Sequence, residues 1–92
     1  MTDAEKEKAK LSNRLRRIRG QVEAIRRALE EGADSAAVLQ QATACRGALD
    51  GFIAEVVEDH IRAHLIDRAA PPDDKRAQAA EALIDIVHSY LT

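Results

Sequence analysis

The stretch LSNRLRRIRGQVEAIRRAL, residues 11–29, decides the fold. Leu11, Leu15, Ile18, Val22, Ile25 and Leu29 recur at steps of 4, 3, 4, 3 and 4, the spacing that holds apolar side chains on one seam of an α-helix. The helix is expected to end at Gly32, a residue that tolerates the left-handed conformation, and Asp34 or Ser35 can accept the first free N–H groups of the next helix. The turn EEGADS, residues 30–35, therefore predicts a helical hairpin.

The second helix runs without proline from about Ser35 to Ile66, roughly 45 Å at 1.5 Å per residue. Val38, Ala42, Cys45, Leu49, Phe52 and Val56 form one apolar stripe along it. Gly47 and Gly51, with Ala44 and Ala54, make a neighbouring face where another helix can approach closely. Glycine in a helix interior costs about 0.5–1 kcal/mol relative to alanine, so two of them suggest a crossing or bend that uses the space, the alternative being glycines that are merely tolerated. RAAPPDD, residues 68–74, stops the helix at Pro71 and Pro72, and Asp73 or Asp74 can cap a third. That helix presents Ala80, Leu83, Ile84, Val87 and Leu91 as a face to lay on the hairpin. The expected fold is all-α, a single domain over residues 1–92.

Composition agrees. Of 92 residues, 46% are hydrophobic and only 2% aromatic, which suits close helix packing, and so short a chain buries a limited fraction of its surface as a monomer. Pairing two hairpins into an antiparallel four-helix bundle buries the long seams, so a homodimer or a dimer of dimers is expected. A lone cysteine forms no internal disulfide, and there is neither a membrane-spanning apolar run nor a signal-peptide core, so a cytoplasmic protein without a membrane partner is expected.

The formal net charge of -2 hides an asymmetry. Residues 6–27 carry nine Lys or Arg against Glu7 and Glu23, a local net of +7, whereas residues 28–92 hold five basic and twelve acidic residues, a net of -7. Lys10, Arg14, Arg17 and Gln21 line one flank of the first helix, one position before the seam, and Ser12, Arg16, Arg19 and Arg26 line the other. Guanidinium groups grip phosphate oxygens in bidentate fashion, so a duplex is the natural partner; the alternative is a solvated helix face. No helix-turn-helix or zinc-finger pattern is present. No glycine-rich phosphate loop and no nucleophile, base and orienter set argues for an enzyme.

RLRRIRGQVEAI at residues 14–25, AVLQQATACRGALDGFIAEVVEDHIRAHL at 37–65 and SYL at 89–91 together resemble the CsoR/RcnR/FrmR family of bacterial transcriptional repressors over nearly the whole chain. The resemblance implies a three-helix subunit, a dimer with an antiparallel four-helix core, usually a tetramer, and binding to double-stranded operator DNA until an effector releases it. Arg14 and Arg17 match family DNA positions and Arg46 a basic position on the second helix, although Asp50 at i+4 offers Arg46 an ion pair instead. With Lys10, Arg16 and Arg19 these form the expected DNA-binding set.

The effector site departs from the family pattern. Ser35 stands where the resemblance expects a cysteine, which weakens copper(I), persulfide and formaldehyde sensing. His60 matches the family histidine and His64 follows one turn on, as in nickel- and cobalt-responsive members. Asp3 near the N-terminus can add an oxygen donor, so the expected effector is a transition metal, nickel or cobalt rather than copper, or else formaldehyde or another small electrophile. Ordinary interface histidines are the alternative. Cys45 lies ten residues from Ser35 and points into the stripe, where free cysteine acts as a small hydrophobe; a redox-sensing thiol at a subunit interface is the other reading. Glu81, His88 and Tyr90 are expected either around the site or in core and surface roles. The runner-up function is a helical metal-binding or scaffold protein without regulatory DNA binding.

Overall fold

The structure, a computed structural model, describes residues 2–67, 69 and 71–92. Three α-helices follow in order, α1 at Asp3–Glu30, α2 at Ser35–His64 and α3 at Lys75–Leu91, with no strand among the described residues. Thr2 caps α1, its hydroxyl oxygen accepting from the Glu5 N–H at 3.1 Å. The far end closes as a Schellman motif. Gly32 takes a φ of 78°, its N–H donates to the Leu29 carbonyl at 3.2 Å, and the Ala33 N–H donates to the Ala28 carbonyl at 2.9 Å.

Asp34, of the two capping alternatives, starts α2: its Oδ1 accepts from the Ala37 N–H at 2.8 Å, which leaves Ser35 as the first helical residue. The helix stops at His64, two residues before the expected Ile66, and the Leu65 N–H still reaches the Ile61 carbonyl at 2.8 Å. Beyond it the Asp67 carboxylate accepts from the Ala69 N–H at 2.9 Å, a local turn that competes with further helix. The predicted break at 68–74 falls partly on residues 68 and 70, which lie outside the described residues. At its other end Asp74, not Asp73, caps α3 through the Arg76 N–H at 3.1 Å.

The chain forms two compact units, residues 1–52 and 53–92, and α2 contributes to both. In the first, the α1 seam divides. Leu11, Ile18 and Ile25 are buried or half-buried, whereas Leu15, Val22 and Leu29, also seven residues apart, are exposed. Cys45 is buried on α2, with Val38, Ala42 and Ala48 half-buried and Leu49 exposed.

In the second unit Ile61, Ala80 and Ile84 form a buried cluster with Val57 and Ile66 packed against it. Leu83, expected on the packing face of α3, is exposed, because the buried side of that helix is set by Ala80 and Ile84 with Val87 and Leu91 at its edge. Charged groups tie α3 to α2 alongside this core. Arg62 donates from Nη1 and Nη2 to the two oxygens of Glu81 at 2.7 and 3.3 Å, and His88 Nε2 lies 3.2 Å from Glu58 Oε1.

Candidate nucleic-acid interface and effector site

The basic flank of α1 is not uniform. Arg16, Arg17 and Arg19 are exposed, and among the described residues none of them forms an ion pair. Arg26 differs: its Nε donates to Glu23 Oε1 at 3.0 Å, and it also pairs with Glu30 one turn on. That hydrogen bond from Arg26 holds the Glu23 carboxyl below its ordinary range and draws its charge along the helix. Arg16 and Arg19 border a shallow surface recess with Gly20 and Glu23. Two guanidinium groups thus border a recess where Gly20 adds no side chain and the Glu23 carboxylate is already engaged by Arg26.

Lys10 is exposed and lies in the same stretch of α1. Arg46, on α2, is exposed and makes no ion pair with Asp50, so the i+4 alternative is not realised. Arg14 is the exception among the expected DNA contacts. It is half-buried, and its Nη1 lies 3.0 Å from where a Cβ at Gly51 would stand. Gly51 thus makes room for a guanidinium, whereas a Cβ at Gly47 would meet nothing within 4 Å. Spacing alone placed both glycines on a close-approach face; which neighbour uses the space depends on the pairing of α1 with α2.

His60 and His64 are exposed near the end of α2. Their rings stack with centroids 4.3 Å apart and planes at 27°. His64 Nδ1 is 3.0 Å from the His60 carbonyl oxygen. A carbonyl only accepts, so this bond places a proton on Nδ1, and in the neutral ring the lone pair is then on Nε2. Asp3 sits in the first turn of α1. Among the described residues no group of three or more His, Cys, Asp and Glu could hold a metal ion. One chain therefore offers two neighbouring imidazoles, a partial donor set for a metal that takes four or more ligands.

The other groups considered for the site have partners or exposure of their own. Glu81 engages Arg62 and His88 engages Glu58, while Tyr90 is 85% exposed. Hydrogen bonding to Glu81 raises the Arg62 guanidinium further above its already high range. Pairing partners nineteen and thirty residues apart have no signature in helical spacing. Ser35 is exposed at the start of α2, and Cys45 is a free, buried thiol packed as a small apolar side chain.

Residues 7–89 match the metal-sensitive transcriptional repressor family. The chain belongs to that family. Relatives of this metal-sensitive repressor include the transcriptional repressor RcnR of Citrobacter koseri, 35% identical over 91 residues and 99% of each chain. An uncharacterized protein from the bioA 5' region of Serratia marcescens is 45% identical over the same length and share of each chain. Among solved structures, a variant of the formaldehyde-responsive regulator FrmR from Salmonella enterica serovar Typhimurium is 40% identical, with a TM-score of 0.65, covering 95% of this chain and 96% of its own. Among the described residues no helix of the repressor is long and apolar enough to cross a membrane.

Proposed function

We propose that this repressor binds double-stranded operator DNA through the exposed basic face of its first unit and is released by a transition metal at His60 and His64. The observation that carries the DNA reading is the contrast in pairing. Arg26 and Arg62 are each held by carboxylates, while among the described residues Arg16, Arg17 and Arg19 stand exposed without an ion pair to break before they meet phosphate. Arg46 extends that surface, and Lys10 is exposed on the same helix as the three arginines. RcnR and FrmR, as repressor and formaldehyde-responsive regulator, support the same reading.

The uncovered stripe Leu15, Val22 and Leu29 supports assembly into a homodimer or tetramer, because three large apolar side chains on one helical line gain most when a second copy removes them from water. A second copy also multiplies the basic face and supplies further donors to the imidazole pair. Nickel or cobalt suits nitrogen and oxygen ligands, and Ser35 withholds the thiolate that copper(I) prefers. When bound, a metal would supply positive charge and a geometric tie between subunits. The residues of this chain do the rest: the His64 to His60 hydrogen bond fixes the ring, and Nε2 is left for coordination. Release requires that the metal favour the DNA-free conformation, since a ligand with equal affinity for both states moves neither.

The test is a fluorescence-anisotropy titration of the region upstream of the chain's own coding sequence. Saturable, salt-dependent binding is expected, with nickel or cobalt lowering the affinity of the wild type and not of His60→Ala. Equal release of both proteins defeats the metal assignment, and tight metal uptake with no change in DNA affinity favours the metal-binding scaffold. Val22→Asp should raise the dissociation concentration of the assembly by at least about tenfold in sedimentation, the scale of a central apolar contact.

A further inference from the structure

The half-buried Arg14 separates from the other arginines of α1 by where its guanidinium rests. Arg16, Arg17 and Arg19 are exposed, but Arg14 lies over α2 with Nη1 only 3.0 Å from where a Gly51 side chain would begin. Glycine in the middle of a helix is unfavourable, so a use for the gap is informative. Gly47, one turn earlier on the same helix, has open space where its Cβ would be, which limits the close contact to Gly51. Guanidinium is planar and weakly hydrated, so it can lie against backbone at low desolvation cost where an ammonium cannot.

We propose that Arg14 serves DNA binding as a positioning residue: a strut seated on Gly51 that fixes α1 against α2, and not a phosphate ligand. This rests on the DNA-binding reading above. The strut sets the spacing between the exposed arginines of α1 and Arg46 of α2, all within the first unit. Gly51 then supplies space in which a Cβ would stand 3.0 Å from Nη1, and the planar fork of Arg14 acts through its shape as well as its charge.

Salt dependence distinguishes a strut from a ligand. Removing one phosphate-binding cation lowers the slope of log affinity against log salt by about 0.9. With a short fluorescein-labelled mixed-sequence duplex and the full chain, Arg17→Ala should reduce the slope, whereas Arg14→Ala should weaken binding several-fold at an unchanged slope. Arg14→Lys, which keeps the charge but not the plane, should behave like Arg14→Ala. A reduced slope in Arg14→Ala that Arg14→Lys restores overturns the proposal, because a phosphate accepts either cation.

A second readout does not depend on DNA. Gly51→Leu and Gly51→Ala displace the guanidinium, and their effects on the melting temperature should shrink in an Arg14→Ala background, with Gly47→Ala showing no such coupling. Additive melting shifts at 14 and 51 overturn the strut. If wild type fails to bind the duplex while the coupling persists, the DNA-binding reading fails and the contact itself stands.

Discussion

The two units of this chain handle charge in opposite ways, and although both leave large apolar side chains exposed, among the described residues the buried cluster lies in the second. Residues 53–92 pair charge internally, Arg62 with Glu81 and Glu58 while His88 hydrogen-bonds Glu58, and Ile61, Ala80 and Ile84 bury one another although Leu65, Leu83 and Ile86 stay exposed. Residues 1–52 leave Leu15, Val22 and Leu29 uncovered, and although Arg26 pairs with Glu23 and Glu30, among the described residues Arg16, Arg17 and Arg19 form no ion pair. Internal pairing serves stability; groups left without internal partners are free to bind. The proposed DNA-binding face therefore lies in the unit that leaves more of its positive charge unpaired, and the proposed metal site in the other.

The sharpest way to break this contrast is to reverse charge in each unit. Arg16→Glu with Arg17→Glu should abolish binding to operator DNA, a loss beyond about a hundredfold, at unchanged helical circular dichroism, because like charges replace several phosphate contacts. Arg62→Glu should leave the affinity of the folded protein unchanged. Equal losses from the two would mean that DNA reads the whole chain.

Apolar truncation probes the same division. Ile84 is 3% exposed, so Ile84→Ala should cost about 2–5 kcal/mol in urea unfolding. Leu29 is 61% exposed, and Leu29→Ala should stay within about 0.5 kcal/mol at concentrations where the chain is monomeric. A large effect at Leu29 that grows with protein concentration would identify it as an assembly contact.

Charge pairs should yield less. The Arg62 and Glu81 side chains are about half exposed, so solvent screens their bond and Glu81→Gln should cost at most about 1 kcal/mol. The smallest effect lies in the first unit at Glu23. Its carboxyl is held below the ordinary range by Arg26, so this pair favours the folded state above the unfolded pKa and ceases to do so as the pH falls through the folded pKa. Carbon-detected NMR titration should place Glu23 below an ordinary glutamate, and Arg26→Ala should return it toward that range.

Much of this was legible before any coordinates. The Leu11 to Leu29 seam, Gly32 and the aspartate caps needed only local stereochemistry, since each acts within a turn or two of its own backbone. Residue type and spacing also placed the arginines along α1 and the two histidines one turn apart. Local rules were silent on which half of the seam would be covered, for Leu15 and Ile18 obey the same periodicity. They were equally silent on Gly51, whose value depends on a side chain thirty-seven positions away.

By itself, then, the sequence determined three helices, the start and stop signals near their ends, and a basic first helix, because backbone hydrogen bonding and helical periodicity are short-range. Only the tertiary structure decided which arginines stay exposed, that Arg14 turns inward onto Gly51, that Glu81 and His88 serve Arg62 and Glu58, and that Cys45 is packed away. Those outcomes depend on which helix faces meet, and side chains far apart in the chain compete for the same space and charge only once the helices have packed.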